Sequence, residues 1–420
     1  MNIGKGLTTA SLIISLTVSG LEAQTQTTSS MQPTEIPPQL FYEIEIDPNL
    51  PPEIPASTPT ASAPTHCPPH KALSVAWNRN STLIAVGTGS GSGVKNCLFS
   101  GALQIFDMSE GYPRLIHVVH TADWVWSVTF SPDDTQLITG GDDETVNVFE
   151  GMSPFNHLQV LPEAKKDVRA VAINANGTLL AAGGYDTDVR LYLRNGTNLY
   201  NIVKVLTEAT GWVEALDFNP VNGQLAVGED RRKVRTYSGT EPYTRLKTLF
   251  HSAGQIYSVA YNPNGTLLTS ADSVKKVRFY NGTNPGDPLL TLSLPSEISR
   301  MTFNPVGTQL AVGQEDGKVV VFEGTSPFSH LYTLMPGRSS SFTRSITNTL
   351  AYSRDGKWLV TGRGSIMMYR VDGLPLPTTQ ATTTHANTTE AGTEMHNASV
   401  PVVLSLVTLL TAALQGMVLQ

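Results

Sequence analysis

The sequence predicts an all-β chain in which seven units of four short antiparallel strands close into a ring, flanked by disordered segments rich in Thr, Ser and Pro. Three observations predict it. A four-residue phrase, apolar at its second and fourth positions, recurs seven times between residues 73 and 372, its second residue falling at 75, 128, 171, 216, 259, 301 and 350. Each phrase leads into a turn of Asn, Pro, Asp and Gly, the residues that supply the backbone angles of tight hairpins. Apolar residues then alternate with a period of two, and nowhere do they sustain a helical period. A repeat of 42 to 53 residues with four strands per unit is the signature of a β-propeller, here seven-bladed.

The phrases read Ser74-Val-Ala-Trp77, Ser127-Val-Thr-Phe130, Ala170-Val-Ala-Ile173, Ala215-Leu-Asp-Phe218, Ser258-Val-Ala-Tyr261, Arg300-Met-Thr-Phe303 and Thr349-Leu-Ala-Tyr352. Turns such as Asn174-Ala-Asn-Gly177 and Asn262-Pro-Asn-Gly265 follow. Next comes an apolar strand ending in Gly or Ala, as in Leu179-Leu-Ala-Ala-Gly-Gly184. The third strand alternates (Val146-Asn-Val-Phe149, Val277-Arg-Phe-Tyr280) and a fourth closes the unit (Leu158-Gln-Val-Leu161, Leu331-Tyr-Thr-Leu334). The seventh unit has no fourth strand of its own, because Gly373 runs into Pro and Thr. Residues 40–46 alternate, with Leu40, Tyr42, Ile44 and Ile46 on one face and Glu43 and Glu45 on the other. They are the candidate ring-closing strand; the alternative is an extended linker.

Composition sets the class. The 420 residues carry a formal charge of −7 and only 15% are charged, below the roughly 25% of an ordinary soluble domain. That argues against nucleic acid as a partner. A hydrophobic share of 40% and a mean hydropathy of −0.08 exclude a polytopic membrane protein and a wholly disordered chain.

Residues 1–23 carry Lys5, an apolar run from Leu7 to Val18 and then small residues, the order of a secretory signal peptide. Residues 24–39 and 47–72 read as low-complexity linkers, and 373–399 as a Thr-rich stalk. Residues 400–420 hold no charge and are long enough to cross a bilayer. No Lys or Arg follows them, and a cluster of small residues precedes them. The expectation is a glycosylphosphatidylinositol signal with attachment at Ala391 or, second, Asn387; the alternative is a single-pass type I membrane anchor. Either places the body, residues 73–372, at the extracellular face of the plasma membrane. In a secreted chain Cys67 and Cys97 are expected to pair, a link worth about 3 to 4 kcal/mol; free thiols are the alternative. Sequons stand at Asn80, Asn176, Asn195, Asn264, Asn281, Asn387 and Asn397, and some are expected to carry glycans.

The run from His120 to Glu150 resembles a WD-repeat blade, from the His ahead of the first strand through the glycines of the second to the turn Asp143. The resemblance extends over about 300 of the 420 residues and draws its specificity from recurrence. It has departures. The Trp-Asp pair is never present; pairs such as Phe149-Glu150, Tyr192-Leu193 and Tyr280-Asn281 hold its place. The leading His is plain only at His120 and His251. The turn Asp aligns at Asp143, Asp186 and Asp316, while Arg231 and Val274 occupy it in the fourth and fifth units. The family's tetrads of His, Ser or Thr, Asp and Trp are therefore expected to be mostly incomplete, with apolar packing holding the blades.

The resemblance also implies a binding rim around the mouth of the central channel, where WD-repeat proteins hold peptides and partner proteins. Two residues before the second position of the second to seventh phrases stand Trp126, Arg169, Glu214, Tyr257, Ser299 and Asn348, with Trp124 and Trp212 close by. Aromatic residues beside Arg are common interface anchors; packed loop residues on an inert rim are the alternative.

Other chemistry is weaker. The Gly-rich run 87–93 lacks a phosphate-loop ending, and the acidic turns Asp142-Asp143-Glu144 and Asp186-Thr-Asp188 do not continue into a calcium loop. No nucleophile elbow or zinc-spaced histidine pair occurs. No catalytic residue, metal or cofactor is expected. The sequence thus points to a non-enzymatic extracellular platform for a protein or peptide partner. The alternatives are a propeller hydrolase, oxidoreductase or lyase at the channel mouth, or a structural matrix or coat protein.

Overall fold

Each phrase folds as the innermost strand of one blade. The computed structural model describes residues 40–44, 70–90, 101–121, 123–196, 198–251, 253–335, 349–362 and 364–372. The segments read as signal, stalk and anchor, most of the two linkers, and Cys67 and Cys97 lie outside the described residues.

The described strands form seven four-stranded antiparallel sheets. Blade 1 occupies residues 70–121, blade 2 125–161, blade 3 168–206, blade 4 213–250, blade 5 256–293 and blade 6 298–334. In each of these the strands, lettered a to d outward from the channel, follow chain order. Blade 7 contributes Thr349–Tyr352, Trp358–Gly362 and Ile366–Arg370, and its outer strand is Leu40–Ile44 from the other end of the chain. That strand pairs Leu40 with Tyr369 and Ile44 with Ile366. The Tyr42 hydroxyl donates to Gly111 O of blade 1 at 3.2 Å, its ring lies 6.0 Å from that of Trp358, and Ser365 Oγ donates to Glu43 Oε1 at 2.9 Å. Closure in this way leaves only short strand edges exposed.

The a–b turns show why the sequence repeats Asn. The Asn174 side-chain oxygen accepts from the N–H groups of Thr178 and Leu179, both at 2.9 Å, and Asn78 does the same for Thr82 and Leu83. Asn262 and Asn304 each cap their b strand likewise, at Leu267 and Gln309. The left-handed residue of the turn is Gly177, with φ 74°, a conformation glycine adopts without steric cost.

Apolar side chains from adjoining blades interlock between the sheets. Leu191 and Leu206 of blade 3, for example, pack with Phe218, Leu225 and Tyr237 of blade 4, and each such fully buried side chain contributes about 1.5–3 kcal/mol. The inner strands are also tied by hydrogen bonds. Ser74 Oγ accepts from Val128 N–H at 3.0 Å, Ser127 Oγ from Val171 N–H at 3.1 Å, and Ser258 Oγ from Met301 N–H at 3.1 Å. Asp217 Oδ2 takes this role between blades 4 and 5, accepting from Tyr261 N–H at 2.6 Å.

Blade 5 is an exception to the mostly incomplete tetrads. Val274 occupies the aligned turn position, yet a polar tetrad is present. His251 Nε2 lies 3.2 Å from Ser270 Oγ and 3.0 Å from the Tyr280 hydroxyl, and its Nδ1 lies 3.4 Å from Asp272 Oδ2. The acid has moved two residues back, from the turn to the end of strand b, the register position held by Gly141 and Gly184 in blades 2 and 3. There Asp272 also binds Arg278 of strand c. Blade 4 repeats the substitution with a buried Glu229–Arg235 pair, and blade 3 buries Arg190 against Asp186 at 2.6 Å. Buried ion pairs therefore join the apolar packing in three consecutive blades.

Candidate functional site

A bulge at the start of the a strand builds the rim in blades 2 to 6; blade 1 bulges likewise between Ala72 and Ser74, where the extra residue is the buried Leu73. The a–b register jumps between Val125 and Ser127, Val168 and Ala170, Val213 and Ala215, Ile256 and Ser258, and Ile298 and Arg300. The extra residue in each case is Trp126, Arg169, Glu214, Tyr257 or Ser299. A bulged residue leaves the ladder and its side chain is re-aimed, so five blades present one such side chain at the same end of the channel. Asn348, the sixth sequence candidate on this rim, lies outside the described residues.

Three of the five join directly. The Arg169 guanidinium lies over the Trp126 indole, 3.4 Å from its centroid, and 5.1 Å from the ring of Tyr185. Arg169 Nε is 3.6 Å from Glu214 Oε2, and these two side chains are only 13% and 9% exposed. Trp126 Nε1 donates to Asp142 Oδ1. Burial, reinforced by Asp167, pushes the Asp142 carboxyl up to about 6, against the pull of the Trp126 N–H and Arg169. Burial likewise raises the Tyr185 and Tyr257 hydroxyls.

The other two meet around Arg300, whose Nη1 donates to Tyr257 O at 2.9 Å and Ser299 O at 3.0 Å. Burial, with Arg169 nearby, lowers its pKa, while Glu214 opposes the change. Ser299 Oγ donates to Gly313 O at 3.1 Å. Outside this inner ring lie the two other tryptophans. Trp124 is half-buried against Trp126, with ring centroids 5.1 Å apart. Trp212 is 44% exposed and stacks on Tyr185 at 4.5 Å.

The mouth thus presents an exposed indole, a second one behind it, and a cation–carboxylate pair already desolvated, features shared by protein-binding surfaces. Tyr185 and Arg300 were not singled out from sequence, and Asp142 was weighed only as part of an acidic turn, not as a rim residue. Arg300 had a signal, because it stands where the other phrases carry Ser, Ala or Thr. Asp142 and Tyr185 follow strand b, and only the fold brings that turn beside the bulges. Among the described residues no three His, Cys, Asp or Glu side chains are grouped to hold a metal ion.

Of the sequons, Asn80, Asn176 and Asn264 sit on a–b turns and Asn195 and Asn281 at the c–d end of their blades, all on the face opposite the mouth. Asn387, Ala391 and Asn397 lie outside the described residues.

Residues 113–150, 155–192 and 243–281 match the family described as WD domain, G-beta repeat. A probable cytosolic iron-sulfur protein assembly protein of Candida glabrata is 33% identical over 104 residues, 24% of this chain and 31% of the relative. A nuclear distribution protein of Coccidioides posadasii is 27% identical over 158 residues, 32% of each chain. A ciliary WD repeat-containing protein of Euplotoides octocarinatus is 26% identical over 149 residues, 31% of this chain and 20% of the relative. The chain spans about a third or less of the length of these relatives. Among solved structures, a chain of the mitotic checkpoint complex superposes with a TM-score of 0.60 at 16% identity, over 76% of this chain and 97% of that one. That likeness speaks for the fold alone.

Proposed function

We propose that this seven-bladed propeller, which carries WD40 repeats, is a non-catalytic platform that docks a protein or peptide partner on the mouth formed by Trp126, Arg169, Glu214 and Trp212. The observation that carries the reading is Trp212, an exposed indole stacked on Tyr185 beside the Arg169–Glu214 pair. Large aromatic side chains left at a surface next to a preformed polar pair are the usual anchors of an interface. A relative named for an assembly role supports the same reading.

The experiment is affinity capture with the full chain, followed by cross-linking to map the contact. Trp212→Ala and Arg169→Ala are compared with Val306→Asp, a change at a 75% exposed residue on the opposite face. Loss of the captured partner with the first two variants and not the third is expected. Equal capture by all four proteins rejects the mouth as the docking face.

The proposed location is the outer face of the plasma membrane, on a glycosylphosphatidylinositol anchor for which the uncharged segment 400–420 is the signal. The apolar run Leu7–Val18 and the sequons in turns support it. Treating intact cells with a phosphatidylinositol-specific phospholipase tests it. Release into the medium is expected, retention at the surface indicates a transmembrane anchor, and absence from the surface overturns the location.

A further inference from the structure

The channel enclosed by the inner strands is not filled. Below the mouth they surround a cavity of about 700 Å³, within the roughly 300–1,000 Å³ typical of small-ligand sites. None of Arg169, Glu214 and Arg300 lines it; its far rim is made by the a–b turns. The third residue of each phrase faces this space and is Ala or Thr in six blades. In blade 4 it is Asp217, the one acid in the lining. At the rim stand Arg79 of blade 1 and Arg354 of blade 7, neighbours in the ring and across it from blade 4.

Both arginines are exposed, and the acids of their own and the adjoining a–b turn already have partners. Asp134 accepts from the Arg79 backbone N–H at 2.7 Å, Asp133 pairs with Arg194 at 2.8 Å, and Asp355 with Lys357 at 3.2 Å. Asp217 spends Oδ2 on Tyr261 N–H. Besides these three charged side chains the lining carries neutral residues, aliphatic and aromatic ones together with Thr129, Ser131, Thr302 and Asn304. The charges a ligand meets there are therefore those of Asp217 and the two arginines. A simple anion would face Asp217 and a simple cation would face two guanidiniums, whereas a molecule carrying both charges satisfies both sides.

From this arrangement we infer that the cavity binds a small zwitterion of amino-acid size, its carboxylate toward Arg79 and Arg354 and its ammonium toward Asp217. The site is separate from the mouth and does not depend on the platform reading.

Calorimetric titration of the full-length chain with glycine, γ-aminobutyrate and ε-aminocaproate tests it, with butyrate and butylamine as single-charge controls. One member of the zwitterion series should bind best, and both controls about tenfold more weakly or worse, as expected for loss of one charged hydrogen bond. Asp217→Asn keeps an acceptor for Tyr261 and should lower zwitterion affinity about tenfold while sparing butyrate. Arg79→Gln combined with Arg354→Gln, both at exposed positions, should do the reverse, sparing butylamine. Arg169→Ala, at the mouth, should change neither. Absence of binding across the zwitterion series overturns the inference, as does binding indifferent to both charge variants in proteins whose melts show them folded.

Discussion

The Arg169 guanidinium rests 3.4 Å from the centre of the Trp126 ring, and the two residues hold the same bulge position in neighbouring blades. Their contact follows from the repeat itself. Once two adjacent a strands bulge at the same step, the re-aimed side chains meet across the blade boundary. Glu214 continues the series into blade 4, so Arg169 is held between an aromatic face and a carboxylate.

Trp126→Ala removes both the stack under Arg169 and the donor to Asp142. Desolvated cation–π contacts are worth about 2 kcal/mol, and a buried carboxyl that loses its donor adds a comparable cost. Urea unfolding should therefore show a loss of about 2–4 kcal/mol. Trp212→Ala, at a position 44% exposed, should stay within about 0.5–1 kcal/mol of the parent. Equal losses in the two variants would contradict the division of labour drawn between them.

Asp217 makes stability depend on pH. Burial pushes its carboxyl up to about 7, with hydrogen bonds from the Tyr261 and Phe218 backbones and the charge of Arg354 opposing. A carboxyl whose pKa is raised in the folded state binds a proton that the unfolded chain has already released. Its contribution is therefore most favourable at low pH and is lost as pH rises toward 7. Between pH 5 and pH 8 the wild-type chain should lose about 2 kcal/mol more stability than Asp217→Asn. Chemical denaturation of both proteins at the two pH values measures the difference, and parallel curves would refute the assignment.

The blade 5 tetrad gives a third expectation. His251→Phe keeps an aromatic ring but removes the partner of Ser270 Oγ and of the Tyr280 hydroxyl, leaving both groups buried. The cost should be about 2–4 kcal/mol. His157→Phe, at an exposed outer position, serves as the control and should unfold with the parent.

Ring and rim were legible in the sequence because they recur. Seven phrases fix seven inner strands, and in the first six blades counting two residues back reaches the bulge without knowledge that a bulge exists. The tetrad of blade 5 was not legible, because Asp272 lies at the end of strand b while the family's acid lies in the turn. Only the structure shows that Asp272, at that strand end, reaches His251. Asp142, read only as part of an acidic turn, and Tyr185 were not placed on the rim for a related reason. They belong to b–c turns, and a linear reading does not say that those turns share a face with the start of strand a. Asp217 sat in plain view inside a phrase, but alternation alone does not tell a channel-facing residue from one packed between blades.

Closure of the ring depends on Leu40–Ile44. Deleting these residues leaves Ile366–Arg370 as an unpaired edge and removes the Tyr42–Trp358 contact. An exposed edge invites pairing with another chain, so the truncated protein should melt earlier and form larger species in light scattering. A monomer with an unchanged melt would show that blade 7 holds with three strands.

The five described sequons share a face for a topological reason. In a four-stranded meander the a–b and c–d turns lie at one end of the blade and the b–c and d–a connections at the other. The Asn-Gly turns fall at the first end, the rim residues at the second. In blades 3 and 5 the Thr of each a–b sequon has a structural duty as well, since Thr178 and Thr266 donate to Asn176 and Asn264 at 2.7 and 2.6 Å. Blade 6 keeps that Thr, as Thr308 bound to Asn304 at 2.9 Å, but has Val306 in place of the sequon Asn. The Thr alone is thus explained by the turn, whereas the exposed Asn is not required by it. If the chain follows the secretory route, peptide mapping of protein from a secretory host should find glycans at Asn176, Asn264 or Asn281. Enzymatic removal of those glycans should leave capture of a mouth-bound partner unchanged, because they stand on the far side of the blades. An unmodified chain from that host would count against the extracellular location. Capture that depends on the glycans would move the docking surface to the face that carries them.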